Sequence, residues 1–309
     1  MEVLPLGALT KGLAGDQLSE MHGLCQAGCV ALTQARHPVR DLRVLRRCLA
    51  YAASRGIRVF IGPQDAALAA DGVAHEGAVA SRMGLPTIPA VAETIAVSSL
   101  LLLAEDTGAT LNLSQLTCAR SVELVAQARQ RGLSVTADVA VHHLILDHEA
   151  ITGFNSQACF QPPLRTPEDR DALRQAVRDG IIQAVVSQHQ PHDEAARHMP
   201  FAECEPGATA AELVLPLLMQ LVQEGCLPLM QALAAVTSGP ASVLGLESGI
   251  REGARADLVL YEPNAPWRVS AETLVSAGKN TPLAGWSLPG QVVRTWRAGA
   301  CIWQDGGLA

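Results

Sequence analysis

The chain has 309 residues, of which 49% are hydrophobic and 17% are charged, so it can bury one large core or two smaller ones. Its net charge of −7 is spread along the chain without basic blocks, which argues against a nucleic-acid-binding protein and against a polybasic membrane patch. The apolar runs are much shorter than the ~20 residues that span a bilayer, and we therefore expect a cytoplasmic protein with no membrane contact.

Six short runs of β-branched and aliphatic residues predict strands, each bounded by glycine or polar residues. They occupy positions 3–9, 29–33, 57–61, 109–113, 133–139 and 181–187. Helical periodicity fills the intervals at 16–27, 41–55, 91–106, 120–131 and 168–179, and two further helices are predicted at 208–224 and 228–236. This alternation predicts right-handed βαβ units around a parallel sheet, an α/β fold.

The number of strands bears on the architecture. A TIM-type (β/α) barrel needs eight strands, so a barrel interpretation requires that the first two are missing and that the chain is a fragment or is completed by another chain. An open doubly wound sheet is the alternative, but neither a GxGxxG motif after the first strand nor a P-loop is present. Because the sequence becomes turn-rich after Leu246, we divide the chain into a partial barrel, 1–245, and a small flanking β module, 246–309.

Eight cysteines are scattered through mostly apolar segments, which predicts reduced, buried thiols and no disulfide framework. Cys25 and Cys29 lie one helical turn apart, and a packing role is favoured over a metal site because no second Cys/His pair has suitable spacing.

Seven fragments of the sequence carry a resemblance to a known family. They are LPLGALTKGLAGDQL, HEGAVASRMGLPTIPAVAE, VHHL, QPPLR, PFAECEPGATAAE, GARADLVLYEP and KNTPLAG. In this order they resemble the dihydroorotases of the amidohydrolase superfamily, over nearly the whole chain. The resemblance implies a TIM-type barrel, a β-sandwich built from both chain ends, and zinc-activated water that attacks a cyclic amide.

The positions that match the metal ligands of that family carry other residues here. Gln34 and Ala35 stand at the two aspartates of an SDDG motif, and Gly62 stands at the histidine of an HxED motif. Asn112 and Gln115 stand at the two histidines of an LHxxHxST motif. Neutral amides give a cation little electrostatic stabilisation, so we expect no catalytic metal and no cofactor.

The stretch VVSQHQPH, 185–192, matches the segment that holds the catalytic aspartate of the family, and it offers Gln188 in that place. An amide cannot accept a proton near neutral pH, so Gln188 cannot act as a general base. His189 matches a residue that contacts the substrate carboxylate in the family, and His142 matches a pocket-lining or structural residue. We therefore interpret His189 and His142 as parts of a vestigial substrate pocket. Adjacent histidines at a strand end, such as His142 and His143, point to opposite faces.

These observations predict a protein that is not an enzyme. The resemblance includes inactive dihydroorotase-like chains that associate with the catalytic chain of aspartate transcarbamoylase, which implies a structural subunit of a hetero-oligomer in pyrimidine biosynthesis. The alternative is an active dihydroorotase or other cyclic amide hydrolase with an atypical site, using Asp65, Asp138 or His192. A truncated active enzyme is disfavoured because four of the substituted positions lie within the sequence.

Overall fold

The computed structural model describes residues 3–193, 195–304 and 307–308. The strands are β1 (Leu6–Ala8), β2 (Ala31–Thr33), β3 (Val59–Ile61), β4 (Ala74–His75), β5 (Thr87–Ile88), β6 (Leu111–Leu113), β7 (Val135–Ala140), β8 (Ala184–Val186), β9 (Leu258–Glu262), β10 (Trp267–Arg268), β11 (Ser287–Leu288), β12 (Gln291–Arg297), β13 (Ala300–Gln304) and β14 (Gly307–Leu308). The helices are α1 (Met21–Gln26), α2 (Leu42–Ser54), α3 (Ala66–Ala69), α4 (Ala78–Met83), α5 (Val91–Thr107), α6 (Ala119–Gln130), α7 (Val141–Ile145), α8 (Pro167–Arg178), α9 (Val214–Gln223), α10 (Leu229–Ala234) and α11 (Ser238–Leu244).

A parallel sheet of six strands forms the centre of the protein, in the order β1-β2-β3-β6-β7-β8. Every neighbouring pair is parallel; five of the six strands lie within predicted runs, and β7 extends one residue beyond the run at 133–139. Helices α2, α5, α6 and α8 pack against one another in succession, as expected for βαβ units. The α/β fold class is confirmed, and the sheet is consistent with a TIM-type barrel in which β1 and β8 are edge strands.

The sequence determines where the two most amphipathic helices begin and which face they bury. Helix α2 starts after Asp41, whose carboxylate accepts a hydrogen bond from the backbone of Arg43, and such a cap contributes about 1 kcal/mol. Leu45, Cys48 and Leu49 then face the core at helical spacing, and each leucine contributes about 2 kcal/mol by its burial. Helix α8 begins with a capping box, in which the N-cap threonine and an aspartate three residues later bond to each other's backbone.

Three local features differ from the sequence-based predictions. Strands β4 and β5 pair in a separate parallel sheet that was not predicted, because two residues per strand leave no readable alternation. Helix α1 begins at Met21 and not at position 16, since an antiparallel bridge between Thr10 and Leu18 holds the preceding residues. His142 and His143 lie in α7, so the prediction that they end a strand and point to opposite faces is wrong.

The C-terminal part contains an antiparallel sheet in the order β14-β13-β12-β9 and a separate antiparallel pair of β10 with β11. Val269, Leu274, Leu283 and Leu288 belong to the same buried cluster as the central sheet. This part therefore adds apolar surface to the main core, and the division at residue 246 stays a prediction.

All eight cysteines are free thiols; Cys48, Cys118, Cys159 and Cys204 are buried and the other four are half-buried. Across the described residues, none of the helices has the length and apolar character needed to cross a lipid bilayer.

Candidate functional site

A cavity of about 470 Å³ opens at the carboxyl ends of the parallel strands, where α/β proteins of this architecture place their functional sites. Five of the residues singled out from the sequence line it: Ala35, Gly62, Gln115, Gln188 and His189. The other three, Gln34, Asn112 and His142, are buried and do not line it. The structure thus brings the predicted residues to one region but separates them into a lining and a supporting set.

The side-chain amide of Gln34 is hydrogen bonded to the segment that follows β1. Its Nε2 donates to the carbonyl of Leu13 at 2.8 Å, and its Oε1 accepts from the hydroxyl of Thr10 at 3.0 Å. Both the oxygen and the nitrogen of the amide are bonded to protein groups, and the side chain is not among those that line the cavity, so it supports the wall.

Asn112 belongs to a buried polar cluster between β6 and β7. Its Nδ2 donates to Oδ2 of Asp138 at 2.6 Å, and its Oδ1 accepts from the hydroxyl of Thr136 at 2.9 Å. The other oxygen of Asp138 accepts from the backbone N–H of Gln115 at 2.8 Å. Burial raises the pKa of Asp138 to about 6, although these hydrogen bonds oppose the effect.

Gln188 links two buried groups beside the cavity. Its Oε1 lies 2.8 Å from Nε2 of His142, and its Nε2 donates to the carbonyl of Gln161 at 2.7 Å. Because an amide oxygen only accepts, the proton of His142 is assigned to Nε2. Burial, and then the neighbouring His143, hold the pKa of His142 well below its ordinary value, so its imidazole is neutral. The ring of His142 also stacks on Phe160 with centroids 3.9 Å apart.

His189 presents a hydrogen-bond donor to the cavity. Its Nδ1 accepts from the backbone N–H groups of Ala210 and Ala211 at 3.1 and 3.2 Å, which assigns its proton to Nε2. Arg36 also lines the cavity and donates to Oε1 of Gln190 at 2.7 Å. Arg36 was not predicted, although its position directly after Gln34 and Ala35 was a signal that it could reach the same cavity.

Three lining or rim residues adopt left-handed backbone without being glycine. They are Ala35, Gln115 and Gln188, with φ of 50°, 60° and 47°, and each is the second residue after its strand. Such conformations cost of order 1–2 kcal/mol and persist only where the surroundings impose them. Each of the three turns therefore contains a left-handed residue whose own side chain does not favour that conformation.

The three residues proposed for an atypical hydrolytic site lie apart and have structural partners. Asp65 caps α3 by accepting from two backbone N–H groups, and Asp138 is held within its own cluster. Nε2 of His192 lies 3.1 Å from the carbonyl of Pro206. None of the three is among the residues that line the described cavity.

The residues at the predicted metal positions do not fit a zinc ion, which requires imidazole, thiolate or carboxylate ligands. The amides of Gln34 and Asn112 are engaged in hydrogen bonds, Gln115 offers only a neutral amide, and Ala35 and Gly62 have no ligating side chain. Over the ranges that the structure describes, no three His, Cys, Asp or Glu side chains are grouped so that they could hold a metal.

Comparisons with known proteins point to one family. A family model described as the amidohydrolase family matches residues 14–302. The chain is 50% identical over 292 residues to a dihydroorotase-like protein of Pseudomonas aeruginosa, which covers 94% of the chain and 69% of that protein. It is 38% identical over 295 residues to a dihydroorotase of Syntrophotalea carbinolica, which covers 95% of the chain and 69% of that protein.

Among solved structures, the L-hydantoinase (dihydropyrimidinase) from Arthrobacter aurescens is similar with a TM-score of 0.84. The match covers 99% of this chain and 71% of that chain, at 20% identity. At this level of identity the likeness is one of fold alone.

Proposed function

The chain belongs to the amidohydrolase family, and on that premise we propose that it is a non-catalytic dihydroorotase homologue that acts as a structural or assembly subunit. The proposed partner is the catalytic chain of aspartate transcarbamoylase, in a cytoplasmic hetero-oligomer of pyrimidine biosynthesis. The partner is proposed from the resemblance of the sequence fragments to inactive dihydroorotase-like chains.

The observation that carries the non-catalytic part of the proposal is the chemistry of the strand ends. At the carboxyl ends of β2, β6 and β8, buried or half-buried amides are already paired with protein groups. Hydrolysis of a cyclic amide needs an activated water and a group that accepts its proton. The hydrogen-bonded Gln188 supplies neither, and Asp138 is enclosed outside the cavity lining.

A subunit role is supported by the surface of α5. On one side of this helix Val97, Leu100 and Leu101 are buried in the core. On the opposite side Val91, Ile95 and Leu102 fall on one stripe and are 45%, 44% and 65% exposed. A helix that is apolar on both sides is ordinarily covered on both sides, so this stripe is our candidate for contact with the partner.

Analytical ultracentrifugation of the chain with the catalytic chain of aspartate transcarbamoylase tests the assembly role. We expect a stable heavier species that Leu102→Lys weakens by tenfold or more, because a charge would be buried in an apolar contact, about 1.4 kcal/mol or more. Met230→Lys, at another exposed apolar position on α10, is the matched control and should leave association unchanged. Independent sedimentation of the two chains would contradict the assembly role.

Metal analysis and a dihydroorotate hydrolysis assay test the non-catalytic part separately. We expect far less than one zinc per chain after purification from zinc-supplemented medium, and no turnover above the buffer rate. Stoichiometric zinc with turnover would favour the alternative, an active dihydroorotase or other cyclic amide hydrolase with an atypical site.

A further inference from the structure

Two buried cysteines from distant segments meet in the smaller of the two large hydrophobic clusters. Cys159 and Cys204 are 4% and 7% exposed and pack with Phe160, Phe201 and other apolar residues. Sγ of Cys159 lies 3.8 Å from the carbonyl oxygen of Cys204, and Sγ of Cys204 lies 3.1 Å from the carbonyl oxygen of Phe201. The two cysteine side chains are therefore neighbours, which is the first requirement for a disulfide between them.

A buried guanidinium lies beside this pair. Arg197 donates to the carbonyls of Ser156 and Gly207, while its Nε is buried without a partner among the described groups. The hydrogen bond from the Cys159 thiol lowers the pKa of Cys204 to about 7, assisted by the charge of Arg197 and opposed by burial. The same hydrogen bond raises the pKa of Cys159. Of the two thiols, Cys204 therefore loses its proton more readily, and it is the one that supplies a reactive thiolate.

We propose that Cys159 and Cys204 are a redox-modification site, at which a hydroperoxide converts the two thiols into an intramolecular disulfide. The Cys204 thiolate attacks one peroxide oxygen, so that an S–O bond forms, the O–O bond breaks and hydroxide leaves. Cys159 then attacks the sulfenic sulfur, the S–S bond forms, the S–O bond breaks, and hydroxide leaves as water with the thiol proton. Two thiols are oxidised, and one hydrogen peroxide is reduced to two waters.

The disulfide would join a segment that lines the cavity to a segment that packs against another part of its lining. Gln161 follows Cys159 by two residues, and Gln190 lies against Gly207 in the segment that holds Cys204. Oxidation therefore restrains the cavity wall on both sides of Gln188 without altering its amide. This inference is independent of the proposed function.

Peptide mapping of the intact chain tests the proposal. The protein is treated with hydrogen peroxide, its remaining thiols are blocked with N-ethylmaleimide, and tryptic peptides are analysed by mass spectrometry. Cys159 lies in the peptide 132–165, and Cys204 lies in 198–251 with Cys226, from which cleavage at Glu212 and Glu224 separates it. We expect a cross-link between Cys159 and Cys204, reversed by dithiothreitol, to form first.

The pair Cys25 and Cys29 is the internal control. Both thiols are half-buried and so more accessible, but burial and the adjacent cysteine raise the pKa of Cys25. Earlier oxidation of this pair, or absence of the cross-link from Cys159 to Cys204, would overturn the proposal. In Cys159→Ser, dimedone should label Cys204 as a sulfenic acid, whereas a dimedone adduct on Cys159 in Cys204→Ser would contradict the assigned roles.

Discussion

Replacing Gln188 by glutamate changes one donor into an acceptor at constant shape. In the protein, the Nε2 of Gln188 donates to the carbonyl of Gln161 at 2.7 Å, while its Oε1 lies 2.8 Å from Nε2 of His142. In Gln188→Glu the second contact survives, but a carboxylate oxygen then faces the carbonyl oxygen of Gln161. We expect the variant to be less stable near neutral pH and to recover in acid.

The size of the effect follows from the carbonyl of Gln161, which loses its donor, and from the new charge placed beside it. Loss of a buried hydrogen bond costs about 1–3 kcal/mol, and burial of the charge beside a carbonyl adds to it, so we expect a loss of about 3 kcal/mol near pH 7. Burial and the carbonyl raise the pKa of the introduced carboxyl above its unfolded value of about 4.3. The stability that the protonated carboxyl contributes is therefore fully present below about pH 4 and is lost as the pH rises through the folded-state pKa of this group.

Urea denaturation followed by circular dichroism, at about pH 7 and about pH 5, measures the loss of stability near neutral pH and its recovery in acid, relative to the wild-type protein. Gln64→Glu adds the same charge at a half-buried residue of the same cavity and should cost under about 0.5 kcal/mol. Equal stability of Gln188→Glu and wild type at neutral pH would refute the assigned hydrogen bonds of Gln188.

Three further predictions concern Asp138, Arg165 and Gly239. Burial raises the pKa of Asp138 from 3.8 to about 6. As the pH rises between these two values, the unfolding free energy of the wild-type protein, relative to that of Asp138→Asn, should therefore fall by about 3 kcal/mol. Urea titrations at several pH values measure this change. Arg165 is 4% exposed, its Nε donates to the hydroxyl of Thr117, and its Nη1 donates to the carbonyl of Ile88. Arg165→Met should therefore lower the unfolding free energy by about 3 kcal/mol or more, and a change under about 1 kcal/mol would contradict this. A Cβ on Gly239 would overlap the carbonyl of Gln183, so Gly239→Ala should lower the melting temperature, whereas Gly23→Ala, in open space in α1, should leave it unchanged or raise it.

The main sheet could be predicted from sequence because its inner strands bury residues on both faces and leave continuous apolar runs. In β2, for example, the successive residues Ala31 and Leu32 point to opposite faces and both are buried. The prediction was weakest where tertiary contacts decide the conformation. His142 and His143 follow a strand without any turn residue, yet the chain turns into α7 and buries both rings.

The candidate site was predicted in its location and only partly in its geometry. Matching of motifs placed Gln188 and His189 at the cavity, and both line it. The same matching could not show that Gln34 turns toward Leu13, because side-chain direction after a strand depends on the next segment. The contact between Cys159 and Cys204 joins residues 45 positions apart, and spacing alone carries no signal for such a pair.

The left-handed backbone at Ala35, Gln115 and Gln188 has a consequence for engineering. Because none of the three is glycine, the turns are maintained by surrounding contacts and not by the preference of the residue at the bend. At Ala35 and Gln115, which line the cavity, the side chain can then be exchanged while the backbone path stays fixed. New functional side chains can consequently be introduced there without a further backbone cost, because the fold already compensates for the strain of each turn.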